Sequence, residues 1–367
     1  VEDPIKNPDL ATFSLQRDRQ YILPVVKEAI ELSDSPISVL LSPWSPPWQW
    51  KTPPELTENE LEVYGQYRPD VDFCVPHRSV GGRLKKEYYS PWAKYIVRYI
   101  QEYLEEGIPV TMFSVNNEEN AATPWDSCLW SGEEEKEFVK DYLYPAFQDA
   151  GLADKVGIFI WDHNKERMIE HALVSITDET RKMIAGIAFH WYTGDHFEAI
   201  SMIHEKWPEK ILMSSECCTD WGQESPILVR ESDLIAYAHA IISNLQHGMQ
   251  RWIDWNMVLD EKGGPRHTPG GCMASLITSE NGIYTKTTVY ETLRVISHTV
   301  HAGSIRIGSS SYSSEIEQTA VKNQNGSIGL LLLNKSPEEN EVFIRIEGWS
   351  GSCKLPPCSL SGILIYK

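Results

Sequence analysis

The sequence predicts an α/β fold: a (β/α)8 TIM barrel of which six strands are visible, followed by a small antiparallel β-sandwich. Three observations carry this. Helix-period stretches alternate with short, almost continuously apolar runs rich in β-branched residues, the pattern of strands covered on both faces. Each run ends in polar or aromatic residues, as strands do at the carboxyl-end active face of a barrel. After about residue 280 the period changes to short runs broken by Asn, Gly, Ser and Pro.

Residues 1–19 are polar and rich in Pro and Asp, and read as an extended or loop start. A helix near 20–33 leads to the buried strand ISVLLSP. The stretch 43–88 reads as a long loop with Trp-Pro turns and the pair Gly81-Gly82. A helix over 91–106 leads to VTMFSVN, and one near 132–149 to VGIFIWD. Helices near 165–174 and 178–184 precede IAGIAFHWY, one near 196–205 precedes KILMSSE, and a long one near 226–247 precedes QRWIDWN. A doubly wound sheet is the rival architecture. It needs a switch-point crevice, and no glycine-rich phosphate loop follows any of these strands. One more helix fits 286–298. Beyond it SIRIGSS, QTAVKNQNG, SIGLLLLNKS, EVFIRIEG and SGILIYK read as strands of the side domain, with Asn325-Gly326 as a turn. The expected division is a barrel over 1–298 and a sandwich over 299–367.

The 367 residues carry 52 Asp and Glu against 33 Lys and Arg, a formal net charge of -19. Such a surface argues against nucleic acid and anionic membrane as partners. No apolar run reaches the length of a transmembrane helix. The first residue is Val and no apolar signal segment follows it. A soluble protein is expected, cytoplasmic or secreted. The seven Cys show no CxxC spacing of a structural zinc site. Their odd number leaves at least one free thiol, and a mostly reduced state is expected. The 13 Trp and 16 Tyr offer ring faces of the kind on which carbohydrate sites stack sugars, though cores use them too.

Two carboxylates stand at strand ends among aromatic residues and histidines. Glu118 follows Asn117 in the polar pentad NNEEN, and Glu216 closes KILMSSE. Cleaving a glycosidic bond with retention needs one carboxylic acid to protonate the leaving oxygen and one carboxylate to attack the anomeric carbon, roughly 5 Å apart. Glu119 is the rival for the acid, because neighbours on a strand end face opposite ways and only one can point inward. His190, Trp191 and Tyr192 end one strand, Trp255 and Asn256 another, and Trp44, Trp48 and Trp50 fill the loop after the first. Stacking on a sugar ring and bonding to hydroxyls suit them, as does plain packing. Asp162, His163 and Asp254 read as hydrogen-bond partners of the catalytic groups. No HExxH or other ligand spacing points to a metal, and Ser214-Ser215 lacks the G-x-S-x-G elbow of a serine hydrolase. Cys217 and Cys218 lie beside a core strand and read as inert.

In order and combined content these motifs resemble glycoside hydrolase family 30, the glucosylceramidase-like group. The resemblance runs over about residues 5–300 and is weaker beyond. It rests on SPWSPPWQWKT at 42–52, Asn117-Glu118, His190-Trp191-Tyr192, Ser215-Glu216, and Asp254-Trp255-Asn256 followed by Gly263-Gly264-Pro265. It implies that Glu118 is the general acid/base and Glu216 the nucleophile of a covalent glycosyl-enzyme. It further implies that Asn117 bonds the sugar 2-OH, that Tyr192 sits near the nucleophile, and that Trp44 and Trp255 line the -1 subsite, with His190 and Asn256 also binding substrate. No metal or organic cofactor is needed where two carboxylates suffice.

Two departures stand out. The family usually has Pro after the acid/base Glu, where this chain has Glu119. The family also has a longer stretch before the point matching residue 5, which supplies the first two barrel strands, part of the side sheet and an Asp that binds sugar hydroxyls. The count of six strands agrees. A barrel lacking two adjacent strands exposes two long edges. A complementing N-terminal polypeptide, a segment absent from this sequence, or a homodimer is therefore expected. The expected activity is that of a retaining β-glycosidase on β-glucosides or glucosylceramide-like lipids. β-1,6-Glucanase and β-xylosidase activity are alternatives within the family, and a non-catalytic carbohydrate-binding protein or an inactive fragment is the alternative from another class.

Overall fold

The computed structural model describes residues 7, 9–54, 56–67, 79–222, 230–264, 271–279, 281–346 and 348–366. Two compact units divide the chain: Val1–Thr193 with Met202–Met213, and Gly194–Ser201 with Ser214–Lys367. All six expected barrel strands are present. They are β1 (Val39–Leu41), β2 (Val110–Ser114), β3 (Gly157–Asn164), β4 (Ile184–His190), β5 (Ile211–Glu216) and β6 (Arg251–Trp252), adjacent in chain order within one sheet. The pairs β1–β2, β2–β3 and β3–β4 are parallel. No helix among the described residues is long and apolar enough to cross a membrane.

In the first unit β3 and β4 are buried on both sides along most of their length, as their unbroken apolar runs require: β3 is buried from Ile158 to Asn164, whereas β1, at the end of the sheet, is half-buried. The helix Tyr89–Glu105 covers them with Tyr89, Trp92, Ala93, Ile96, Ile100 and Tyr103, a stripe at helical spacing. The expected helix near 132–149 is Gly132–Phe138 and Tyr144–Asp149 joined by a π-helical turn, Val139–Leu143. Ser131 starts it with a capping box to Glu134. Pro145 has no N–H to continue the ladder, which accounts for the loosened turn before it.

Three sequence readings need correction. The expected helix at 178–184 is a set of turns: the Thr180 hydroxyl donates to the Ser175 carbonyl at 2.6 Å and accepts the Thr177 N–H at 2.9 Å, and β4 begins at Ile184. Side-chain hydrogen bonds of this kind compete with helix formation. The stretch 43–88 is not all loop, since Glu58–Tyr67 is helical. The side domain has one more strand than expected, Trp349–Leu355, whose Gly and Ser content hid it.

The Trp-rich loop after β1 is held from inside. Trp50 is fully buried and stacks on Tyr88 with centroids 5.5 Å apart. Next to it the buried Lys51 ammonium donates to Ser45 Oγ at 2.8 Å and to the carbonyls of Ser79 at 3.0 Å and Ser127 at 2.5 Å. Burial lowers the Lys51 pKa to about 8, and the three acceptors take up its donors.

In the second unit a four-stranded antiparallel sheet runs in the order Ile305–Ile307, Ile316–Lys322, Ile328–Asn334, Ser359–Ile365. The hairpin of Asn340–Ile346 and Trp349–Leu355 forms a second sheet. Ile316, Ala320, Leu330 and Leu332 of the first sheet share a core with Leu355, Val342 and Ile344 of the second, which makes a β-sandwich. The same unit holds β6, the helices Glu231–Gln246 and Thr288–Thr299, and a small sheet of Val258–Asp260, Leu276–Thr278 and Tyr284–Lys286. No disulfide joins the six described cysteines to one another; Cys74 lies outside the described residues.

Gly186 shows how tightly the first unit is packed. A Cβ on it would lie 2.3 Å from the Ile211 carbonyl oxygen and 2.5 Å from the Phe159 ring. Gly186→Ala is expected to lower unfolding stability by ~1–3 kcal/mol. Gly308→Ala, with nothing within 4 Å of its Cβ, should be close to neutral. Urea unfolding of both variants checks the contrast, and equal midpoints would show that β4 has room to spare.

Candidate active site

In the first unit the chain ends of β1 to β4 converge on Glu118. β2 stops at Ser114, so Asn117 and Glu118 stand in a turn beyond it, not on the strand itself. The Asn117 N–H donates to the Pro43 carbonyl at 2.8 Å, the Glu118 N–H to the Asp162 carbonyl at 2.8 Å, and the Ala121 N–H to the Glu118 carbonyl at 3.0 Å. Glu118 has φ +50°, Trp161 φ +75° and Asp162 φ +44°. Among the described residues these are three of six non-glycine residues in the left-handed region. Such backbone costs energy, persists only where its surroundings over-determine it, and clusters at functional sites.

Glu118 is nearly buried, at 7% exposure. Its Oε1 lies 3.6 Å from His190 Nδ1 and 3.8 Å from His163 Nδ1. His190 Nε2 is 3.2 Å from Asp162 Oδ1, and Asp162 Oδ2 accepts the Ser42 hydroxyl at 2.7 Å. Burial lowers the His163 pKa, against the raising effect of Glu118, so this imidazole is neutral near pH 7. The Tyr192 N–H donates to Asn164 Oδ1 at 2.8 Å, and the Tyr192 ring meets His190 edge-on with centroids 5.9 Å apart. Trp44 contributes its carbonyl, 3.5 Å from Asn116 Nδ2. The first unit therefore brings together Trp44, Asn117, Glu118, His190 and Tyr192, with Ser42, Asp162 and His163 as supports.

Glu119 is directed elsewhere. It has no exposed surface, and His171 Nε2 lies 3.1 Å from it and 2.8 Å from Glu135. Neither Glu135 nor His171 stood out in the sequence, because charged residues on helices usually face water. Their only signal is position on the inward faces of Gly132–Phe138 and Met168–Ser175.

In the second unit Glu216 is half-buried at the end of β5. The Ile253 N–H donates to the Ser214 carbonyl and the Trp255 N–H to the Cys217 carbonyl, both at 2.8 Å, so Trp255 and Asn256 follow the strand beside Glu216. The Trp255–Asn256 peptide is cis. The buried Tyr237 hydroxyl donates to Asp254 Oδ1 at 2.8 Å. Burial pushes the Asp254 pKa to about 7, although the Tyr237 hydroxyl lowers it.

Two sets of three ligand-capable groups occur among the described residues, Glu118 with His163 and His190, and Glu119 with Glu135 and His171. A closed structural zinc site takes four ligands, and each set offers three.

Residues 1–300 match the Glycosyl hydrolase family 30 TIM-barrel domain, and residues 303–361 match the Glycosyl hydrolase family 30 beta sandwich domain. The chain is 27% identical over 347 residues to "Putative glucosylceramidase 4" of Caenorhabditis elegans, covering 91% of this chain and 63% of that protein. It thus spans less than two thirds of the length of that curated relative. Its fold is similar to SrfJ from Salmonella typhimurium, with a TM-score of 0.87 and 30% identity over 99% of this chain and 76% of that one. It is also similar to the endo-beta1,6-glucanase BT3312, with a TM-score of 0.81 and 24% identity over 97% and 77% of the two chains. At that identity the likeness is one of fold.

Asp254 yields a prediction with a definite sign. Its folded pKa of about 7 lies above its ordinary 3.8, so its contribution is fully present below pH 3.8 and is lost as pH rises through 7. Asp254→Asn, which can still accept the Tyr237 hydroxyl, should therefore gain ~1–3 kcal/mol over the parent at pH 8 and nothing near pH 3.5. Urea midpoints at the two pH values decide it; a gain that does not depend on pH would show that the Asp254 carboxyl keeps its ordinary pKa in the fold.

Proposed function

The chain belongs to glycosyl hydrolase family 30, and from that membership we propose that it is a retaining β-glycosidase acting on β-glucosides or glucosylceramide-like substrates. In this reading residues 1–298 form its barrel part and 299–367 its side domain. Glu118 is the general acid/base and Glu216 the nucleophile. The observation that supports the acid is its setting: a nearly buried carboxyl in a left-handed turn, facing two imidazoles of which His163 is held neutral by burial. A neutral His163 makes no ion pair with Glu118, which leaves that carboxyl to the leaving oxygen.

The reaction then has two steps. Glu216 attacks the anomeric carbon while Glu118 gives its proton to the departing oxygen. Water is next deprotonated by Glu118 and displaces Glu216 from the same carbon. The mechanism requires the two carboxyl groups about 5 Å apart. Asn117 bonds the 2-hydroxyl, Tyr192 attends the nucleophile, Trp44 and Trp255 line the -1 subsite, and His190 and Asn256 complete the substrate contacts. Two carboxylates perform the chemistry without metal or organic cofactor. The sheet has six strands among the described residues, and a complementing N-terminal polypeptide, a segment absent from this sequence, or a homodimer is the proposed cover for its edges. β-1,6-Glucanase and β-xylosidase activities are the readings that experiment must separate.

Incubation with 2-deoxy-2-fluoro-β-glucosyl fluoride, followed by intact mass and peptide mapping, is the test. One fluoroglucosyl group on Glu216 is the expected result, with no labelling of Glu216→Gln. Labelling by the fluoroxyloside alone would move the substrate class to xylosides. Turnover of β-1,6-gluco-oligosaccharides in preference to glucosylceramide would favour the glucanase. Sugar binding with no adduct from either reagent would leave a carbohydrate-binding protein and sink the retaining mechanism.

A further inference from the structure

We propose that Glu119, Glu135 and His171 form a buried, proton-sharing triad that positions Glu118, the three acting as positioning residues for the acid. The proposal rests on the assignment of Glu118 as general acid/base. Glu119 and Glu135 have no exposed surface, and His171 is 8% exposed. Two ionised carboxylates this close and this deep would repel each other and lack hydration. The geometry shows how the charge is balanced. His171 Nε2 is 2.8 Å from Glu135 and in hydrogen-bonding alignment with it, whereas its 3.1 Å approach to Glu119 lacks that alignment and no other donor among the described residues bonds either Glu119 oxygen. An ionised Glu119 would be left without donors, while a protonated one donates to the adjacent Glu135. The neutral assignment is therefore Glu119 protonated, Glu135 ionised and His171 an imidazolium.

The charge environment agrees. Burial and then Glu135 raise the Glu119 pKa well above the usual range. Burial pulls His171 down, but Glu135 and Glu119 outweigh it and raise it to about 10. Glu170, on the exposed side of the same helix, is engaged by Arg167 at 2.7 Å. The 2.8 Å from His171 Nε2 to Glu135 is a hydrogen-bond distance, and the 3.1 Å to Glu119 is a close approach without that alignment.

The triad reaches Glu118 by two routes. Glu119 is its chain neighbour, and the Glu119 carbonyl is fixed by the Trp130 N–H at 2.8 Å. Glu135 Oε1 accepts the N–H of Trp161 at 3.3 Å, at the bulge where β3 turns left-handed. The next residue is Asp162, whose carbonyl holds the Glu118 N–H and whose carboxylate holds His190. The Trp161 ring lies between the rings of His171 and His163, at centroid distances of 4.8 and 5.3 Å.

The test compares a β-glucoside with a poor leaving group, which needs the acid, with the 2,4-dinitrophenyl glucoside, which does not. Glu119→Leu should lower kcat/KM about 100-fold on the first and only a few-fold on the second. Glu119→Gln, which resembles the neutral acid, should stay near the parent on both. Equal losses on both substrates, or a Glu119→Gln as impaired as Glu119→Leu, would overturn the positioning role. In the parent protein 15N NMR should find the His171 ring doubly protonated at pH 8. Titration near 6.5, or one equivalent of zinc in the purified protein, would overturn the triad whatever the activity. A Glu118→Gln variant without leaving-group dependence would sink the acid assignment, and the positioning role with it, while the NMR result still decides the triad.

Discussion

Asp162 is the tie on which the site end of the first unit depends. Its carbonyl accepts the Glu118 N–H, one carboxylate oxygen accepts the Ser42 hydroxyl, and the other meets His190 Nε2. One residue of β3 thus ties together Ser42 after β1, Glu118 after β2 and His190 at the end of β4. It also sets the histidine's orientation. Through its Nε2, His190 is oriented by Asp162 so that Nδ1 is turned the other way. That nitrogen faces Glu118 at 3.6 Å.

The backbone is bent to make this tie. Trp161 and Asp162 leave the extended conformation, and β3 slips register against β4 between Trp161 and His163. The slip turns the Asp162 carbonyl toward the turn after β2, where Glu118 is itself left-handed. Each such residue costs about 1–3 kcal/mol. The cost is offset locally: the Trp161 N–H finds Glu135, the Trp161 Nε1–H finds the Asn164 carbonyl at 2.9 Å, and the Glu118 N–H finds Asp162. A bulge that re-aims a side chain beside a site is a familiar use of this irregularity. Replacing any one of these partners leaves a strained backbone with one support fewer.

The strands were legible because burial on both faces writes an unbroken apolar run, and all six runs became strands. Their polar ends were legible for the same reason, since a Glu, His or Asp that closes such a run must meet either water or a partner. The turn after β2 was not legible. Strand alternation suggested that Glu118 and Glu119 diverge, and they do, but the cause is a left-handed residue beyond the strand. The helix expected at 178–184 failed because Thr177 and Thr180 bond each other and the nearby backbone. Glu135 and His171 were invisible for a different reason: in a chain with 52 acidic residues, a helix reading GEEEKEF gives no sign of which Glu is buried. That depends on which face meets β3, and β3 comes later in the chain.

The adjacent carboxylates Glu118 and Glu119 show why position, not residue type, sets the chemistry. A general acid must deliver a proton to an atom that comes from solution, so it needs some open surface. Glu118 keeps 7% exposure and Glu119 none. Glu119 also sits beside Glu135 and an imidazolium, where its proton is bound into a charge balance that cannot be broken without leaving buried charge unpaired. Glu118 faces His163, whose pKa burial lowers, across 3.8 Å and stands outside that buried cluster. Exchange of the two roles would therefore require more than moving a carboxyl by one residue: Glu135 and His171 would have to move with it.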